Sequence, residues 1–269
     1  MKTRAELKAE AKAALKGNWG WAILTMVLPL LIAGIIYSIV VSIIAHGSAS
    51  FDTYGEPTLS PGGIFGMIIS YLILLLVIIG FSISIFKASL DLIRHRKQPV
   101  MDTIKYGFSG KPFGKFFVTN FIMGIFIYLW SLLLVIPGWI KSMSYSQSNF
   151  ILFDNLQAGI EEKATAPITK SRHLMDGHKW EYFVLQLSFL GWAILAALTF
   201  GIGFLWLQPY IMTTNAAYYD NLLQENGISS ITKEPEVGPQ PSKIIEEKEA
   251  IISDVPLMGQ PEVNDAIMK

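Results

Sequence analysis

The stretch Gly138–Phe153, GWIKSMSYSQSNFILF, decides the fold, because it decides how often the chain crosses a membrane. It has 16 residues and carries Lys141, Ser142, Ser144, Ser146, Gln147, Ser148 and Asn149. About 20 apolar residues are needed to cross the hydrocarbon core, so hydropathy alone reads the stretch as an interfacial piece. Charge placement reads it differently. Lysines and arginines near spans stay on the cytoplasmic side. Here they fall in residues 2–16 (five), 87–115 (seven), at Lys141 (one), in 163–179 (four) and in the C-terminal tail (four). If 138–153 crosses, every one except Lys141 is cytoplasmic. If it does not, the four in 163–179 are stranded outside. The stretch is therefore expected to be a span, with Pro137-Gly138 as its outer turn and Lys141 snorkelling to the outer interface.

Working outward, Trp21–Ile44, Ile64–Phe86 and Phe116–Ile136 are each long and apolar enough to cross. Tyr182–Tyr219 is too long for one crossing and is interrupted by Gly201-Ile202-Gly203, which predicts two helices and a tight turn. Loop 45–63 holds no lysine or arginine and is expected outside. The predicted fold is an all-α membrane protein with six transmembrane helices as three tandem hairpins, near 21–44, 64–86, 116–136, 138–153, 182–200 and 204–220. Short amphipathic interfacial helices lead into the hairpins, and both termini are cytoplasmic. The first apolar run has 24 residues, longer than the core of a cleaved signal, so it is expected to stay.

Composition agrees. The chain is 52% hydrophobic and 16% charged, against about 25% charged in soluble domains. Net charge is zero, but residues 1–223 carry 17 Lys/Arg against 12 Asp/Glu, and residues 224–269 carry 4 against 9. A mildly basic membrane domain, 1–223, thus bears an acidic tail, 224–269. Five prolines after 233 and the loss of periodicity predict a disordered tail, suited to a protein partner and not to nucleic acid. The chain has no cysteine, which excludes disulfides and thiol chemistry.

A weak threefold repeat runs through the chain. Each hairpin is introduced by a Gly/Lys/aromatic entry: Lys16-Gly17-Asn18-Trp19, Gly114-Lys115-Phe116 and Gly177-His178-Lys179-Trp180. Each second helix is expected to end alike, at Asp91-Leu92-Ile93, Asp154-Asn155-Leu156 and Asp220-Asn221-Leu222. Residues 115–155 lie on 181–221 without a gap, bringing Asn149 onto Asn215 and Asp154 onto Asp220. In residues 3–16, Thr3 and Glu6 have capping-box spacing, Leu7, Ala11 and Leu15 form one stripe, and Lys8, Lys12 and Lys16 form another. This helix is expected to lie in the interface with its lysines toward lipid phosphates. Trp19, Trp21 and Trp180 have the position of interfacial belt residues.

The candidate functional residues are polar groups of the fourth and sixth spans: Ser142, Ser146 and Asn149, with Gln208, Thr213 and Asn215 beside the helix-kinking Pro209. Polar groups in hydrocarbon need partners, so these line either a polar cavity or an interhelical seam. Asp91, Asp154 and Asp220 read as helix-end and turn residues at the cytoplasmic side, or else as a ring that gathers cations. No zinc-type ligand spacing, phosphate loop, dinucleotide fingerprint or nucleophile elbow occurs, so neither cofactor nor metal is expected.

Four strings, Leu15–Ile23 (LKGNWGWAI), Ile136-Pro137-Gly138 with Lys141 and Tyr145-Ser146, Gly177–Trp192 (GHKWEYFVLQLSFLGW) and Gly201–Tyr210 (GIGFLWLQPY), together resemble an uncharacterised bacterial integral-membrane family, domain-of-unknown-function family 975. The resemblance covers about 1–223 and excludes the tail. It implies a bacterial cytoplasmic membrane location, in a Gram-positive cell, and it brings no catalytic residues. The family is distantly similar to the membrane domain of some glycerophosphodiester phosphodiesterases, but this chain has no hydrolase domain. The expected function is a non-enzymatic organiser or regulator of envelope components, with a small-solute transporter as the alternative.

Overall fold

The computed structural model describes residues 1–51, 57–133 and 135–228, all within one compact unit, Met1–Ile231. The expected tail lies, beyond 228, outside the described residues. Twelve helices are described, with one two-stranded ribbon. The first helix, α1 (Arg4–Leu15), begins with the anticipated capping box between Thr3 and Glu6 and turns at Gly17, whose φ is 77°. Next come α2 (Trp19–Met26) and α3 (Leu28–Gly47), separated at Val27 where Pro29 opens the next helix. The antiparallel ribbon β1 (Ala49–Phe51) and β2 (Pro57–Leu59) connects α3 to α4 (Pro61–Ile93). Then follow α5 (Val100–Gly107), α6 (Gly110–Leu133), α7 (Val135–Ser144) and α8 (Ser148–Gln157). The chain ends with α9 (Ala166–Leu174), α10 (Lys179–Leu187), α11 (Leu190–Leu198) and α12 (Phe204–Glu225).

Four segments are long and apolar enough to cross a membrane: Trp19–Gly47, Pro61–Ile93, Gly110–Leu132 and Lys179–Leu198. Their apolar windows are hardly buried, and α3 buries no residue at all. Exposed apolar surface on that scale is unstable in water and suits lipid. The expected spans 138–153 and 204–220 are helical but are not among the four. The first is interrupted at Tyr145–Gln147, between α7 and α8, in its serine-rich part. The second, α12, carries Gln208, Thr213, Thr214, Asn215 and Asp220, which lower its hydropathy.

Burial concentrates elsewhere. The core joins the C-terminal part of α4 (Ile83, Leu90, Ile93) to α8 (Phe150–Phe153) and α12 (Ala216–Tyr219, Leu222). Three short helices cover it. α5 packs on α4, α9 on α8, and α1 on α12, so the first helix of the chain closes onto the last. Glycine permits the first of these contacts: a Cβ on Gly107 would stand 2.0 Å from the Gly80 carbonyl oxygen. At α9, Ser171 Oγ donates to Ser144 O (2.8 Å) and accepts from Gln147 N–H (3.2 Å), satisfying backbone groups released where α7 breaks from α8. At α1, Leu7, Ala11 and Leu15 are buried against protein. The stripe expected to enter the lipid interface is thus covered by α12 and α4, because a protein groove buries it more completely.

Candidate functional site

Arg94, the residue that caps α4, stands where α4, α8 and α12 meet. Its guanidinium forms a fork on Asp154, Nη1 to Oδ1 at 2.6 Å and Nη2 to Oδ2 at 2.9 Å. It also donates to Asp220, from Nη2 to Oδ1 at 2.7 Å and from Nε at 3.1 Å. Tyr219 Oη donates to Asp154 Oδ2 at 2.9 Å, and its ring stacks on Phe150 at 5.3 Å between centroids. Only 9% of the arginine side chain and none of the Asp154 side chain is exposed. Burial opposes the guanidinium charge, but hydrogen bonds and the charges of the two carboxylates outweigh it and raise its pKa above the ordinary value. One planar five-donor group thereby holds two helices to a third, a task a lysine could not perform with the same geometry.

Asp91 belongs to a second cluster. Lys87, four residues earlier on α4, pairs with it, and both are buried. Lys87 Nζ also donates to Gln98 Oε1 (2.8 Å) and lies 5.6 Å from the Tyr106 ring of α5. Burial, with the Asp91 charge, pushes the Tyr106 hydroxyl up to about 12. Asp91 and Asp154 lie in the last turns of α4 and α8, and Asp220 lies further inside α12, but their side chains pair with cations and do not cap the backbone. The turn-and-cap reading is corrected: a buried carboxylate needs a cation, and the chain supplies its own.

The six polar residues singled out in the sequence occupy separate settings. Asn149 and Asn120 of α6 exchange side-chain hydrogen bonds (3.0 and 3.3 Å). Asn215 accepts from Gln186 Nε2 of α10 at 2.7 Å. Ser146 accepts from Gln147 Nε2 (2.9 Å), and Ser142 bonds to its own helix at Trp139 O (2.7 Å). Gln208 is half-buried on α12, and Thr213 is fully buried. Among the described residues, Thr213 Oγ1, Gln147 Oε1 and Ser148 Oγ are buried without a partner. Residue reading missed Arg94 and Lys87. The available signal was two repeat-related aspartates, Asp154 and Asp220, with no cation nearby in sequence, and one arginine just after the third.

A cleft of about 430 Å³ lies between α6, α8 and the start of α9, lined by Lys111, Lys115, Lys163, Thr119 and Asn155. Lys111 pairs with Glu161 at 2.7 Å, and hydrogen bonding and charge from Lys111, with Lys115, hold that carboxyl below its usual range. A largely apolar groove of about 640 Å³, with Ser70 and Tyr37 as its polar side chains, runs along α2, α3, α4 and α5.

Compared with known proteins, the chain matches one family model, described as a protein of unknown function, over residues 1–141 and 132–226. No curated protein and no solved structure matches it.

Proposed function

The chain belongs to family DUF975, whose function is unknown, and on that premise we propose a non-enzymatic membrane protein that organises or regulates other envelope components. In this reading it crosses the bacterial cytoplasmic membrane six times, as three tandem hairpins, with both termini in the cytoplasm. Its acidic tail docks a protein partner. Two polar pairs support the repeat that underlies the hairpins. Asn120–Asn149 and Gln186–Asn215 are each 29 residues apart, and the gap-free overlay of 115–155 on 181–221 carries one pair onto the other.

The observation that carries the non-enzymatic reading is the Arg94 clamp. Its Nε, Nη1 and Nη2 groups all donate to Asp154 and Asp220, so these buried charges hold helices together and are not held free for catalysis or ion coupling. A second reading, a small-solute path, is favoured by the unpartnered Gln147 Oε1, Ser148 Oγ and Thr213 Oγ1, since buried polar atoms call for water or a ligand.

Single cysteines introduced along 138–178 and 204–219 test both, because the chain has no native cysteine. Intact cells are labelled with a membrane-impermeant thiol reagent. Labelling confined to the outer turns is expected. A stripe labelled deep into either segment, through 147 and 213, would transfer support to the solute path. Labelling throughout 156–178 would refute the fourth crossing.

A further inference from the structure

A groove of about 600 Å³ lies between α1, α11 and α12. One side presents Lys8 and Lys12; the other is built from Trp192, Leu195, Trp206 and Tyr210. Trp192, Leu195 and Trp206 are 58%, 55% and 49% exposed, and the first two belong to a segment apolar enough to span a membrane, so the groove opens where lipid would be. The lysines reach inward. Lys8 Nζ donates to Ser188 O at 3.2 Å and lies 4.2 Å from the Phe189 ring centre, while Lys12 Nζ lies 5.7 Å from that of Tyr210.

Arg4, Lys8 and Lys12 follow one another at four-residue spacing along α1. Among the described residues none of the three forms an ion pair with a carboxylate. Like charges so spaced repel. Burial, then the charges of Arg4 and Lys12, lower the pKa of Lys8. An anion at this point would relieve both penalties, and an apolar chain attached to it would cover the tryptophans. The nine residues of α11 run about 14 Å, close to the depth of one leaflet's hydrocarbon, about 15 Å.

We propose that this groove binds one anionic phospholipid, with its phosphate at Lys8 and Lys12 and an acyl chain along Trp192, Leu195 and Trp206. The inference rests on the membrane reading above. The apolar wall selects a lipid over a free phosphate. Among the described residues no carboxylate lines the groove to receive a choline or ethanolamine ammonium, and Glu10, between the two lysines in sequence, is paired with Lys2 at 2.8 Å, which selects an anionic headgroup.

Tryptophan fluorescence tests it. The full chain is reconstituted in phosphatidylcholine vesicles containing, at equal mole fraction, either phosphatidylglycerol or phosphatidylcholine with brominated acyl chains, which quench indoles on contact. Brominated phosphatidylglycerol is expected to quench more, with a relative affinity higher by about fivefold per lysine. The preference should disappear in Lys8→Gln/Lys12→Gln, persist in Lys8→Arg/Lys12→Arg, and shrink in Trp192→Phe/Trp206→Phe. Retained circular dichroism in the glutamine variant separates lost binding from lost folding; if that variant unfolds, salt titration of the wild-type preference replaces it. Equal quenching by the two lipids, or a preference indifferent to salt, overturns the site alone. Quenching by neither overturns the membrane reading and the site with it.

Discussion

At the residue scale, Arg94 is the position on which most depends. A buried ion pair often adds little net stability, because desolvation offsets attraction, yet removing one partner strands the other. Arg94→Met leaves Asp154 and Asp220 without their cation and is expected to cost about 3–5 kcal/mol. Thermal unfolding in detergent measures this. The combined variant Arg94→Met/Asp154→Leu/Asp220→Leu should recover much of the loss, since no unpaired charge remains. If the single and triple variants are equally unstable, Arg94 acts through packing and not through charge.

At the scale of elements, the short helices are held by close approach and by bonds at helix breaks. α5 depends on Gly107 meeting the Gly80 backbone, with Phe108 beside Gly80 and its ring against Phe81 at 5.0 Å. Gly107→Leu cannot be accommodated without moving α5, so limited trypsinolysis at Arg94–Lys105 should accelerate clearly. An unchanged cleavage rate would show that α5 is held by other contacts. Glycines also set the helix returns. A Cβ on Gly138 would press to 2.2 Å from Ser131 Oγ, and one on Gly203 to 2.7 Å from the Ala196 backbone. Gly201-Ile202-Gly203 was legible as a turn for this reason, whereas Pro137-Gly138, expected to be the outer turn, lies within α7, where the missing side chain lets α7 pack on α6. The break at Tyr145–Gln147 was not legible, because it is stabilised by Ser171, 24 residues beyond Gln147.

For the whole molecule, the closure of α1 onto α12 makes the N-terminus part of the core. Leu7 and Leu15 are fully buried there, and Lys2 N–H donates to Asn221 Oδ1 at 2.9 Å. Burying a leucine contributes about 1.5–3 kcal/mol, so deleting residues 2–16 should destabilise the fold by at least about 3 kcal/mol. Thermal unfolding of the truncated protein gives the answer. A truncated protein as stable as the full chain would mean that α1 is an independent surface helix, as its lysine stripe first implied.

The sequence by itself determined a helical chain with long apolar segments, the capping of its first helix, the turns at Gly17 and Gly201–Gly203 and its family. These are local properties, written in hydropathy, spacing and glycine placement. Only the tertiary structure decided which polar residues matter together. Arg94 lies 60 residues from Asp154 and 126 from Asp220, and no local pattern records that pairing. The destination of the α1 stripe was likewise undecided. Leu7, Ala11 and Leu15 would suit lipid or protein equally, and the choice of protein depends on a groove that exists only once α4 and α12 have packed.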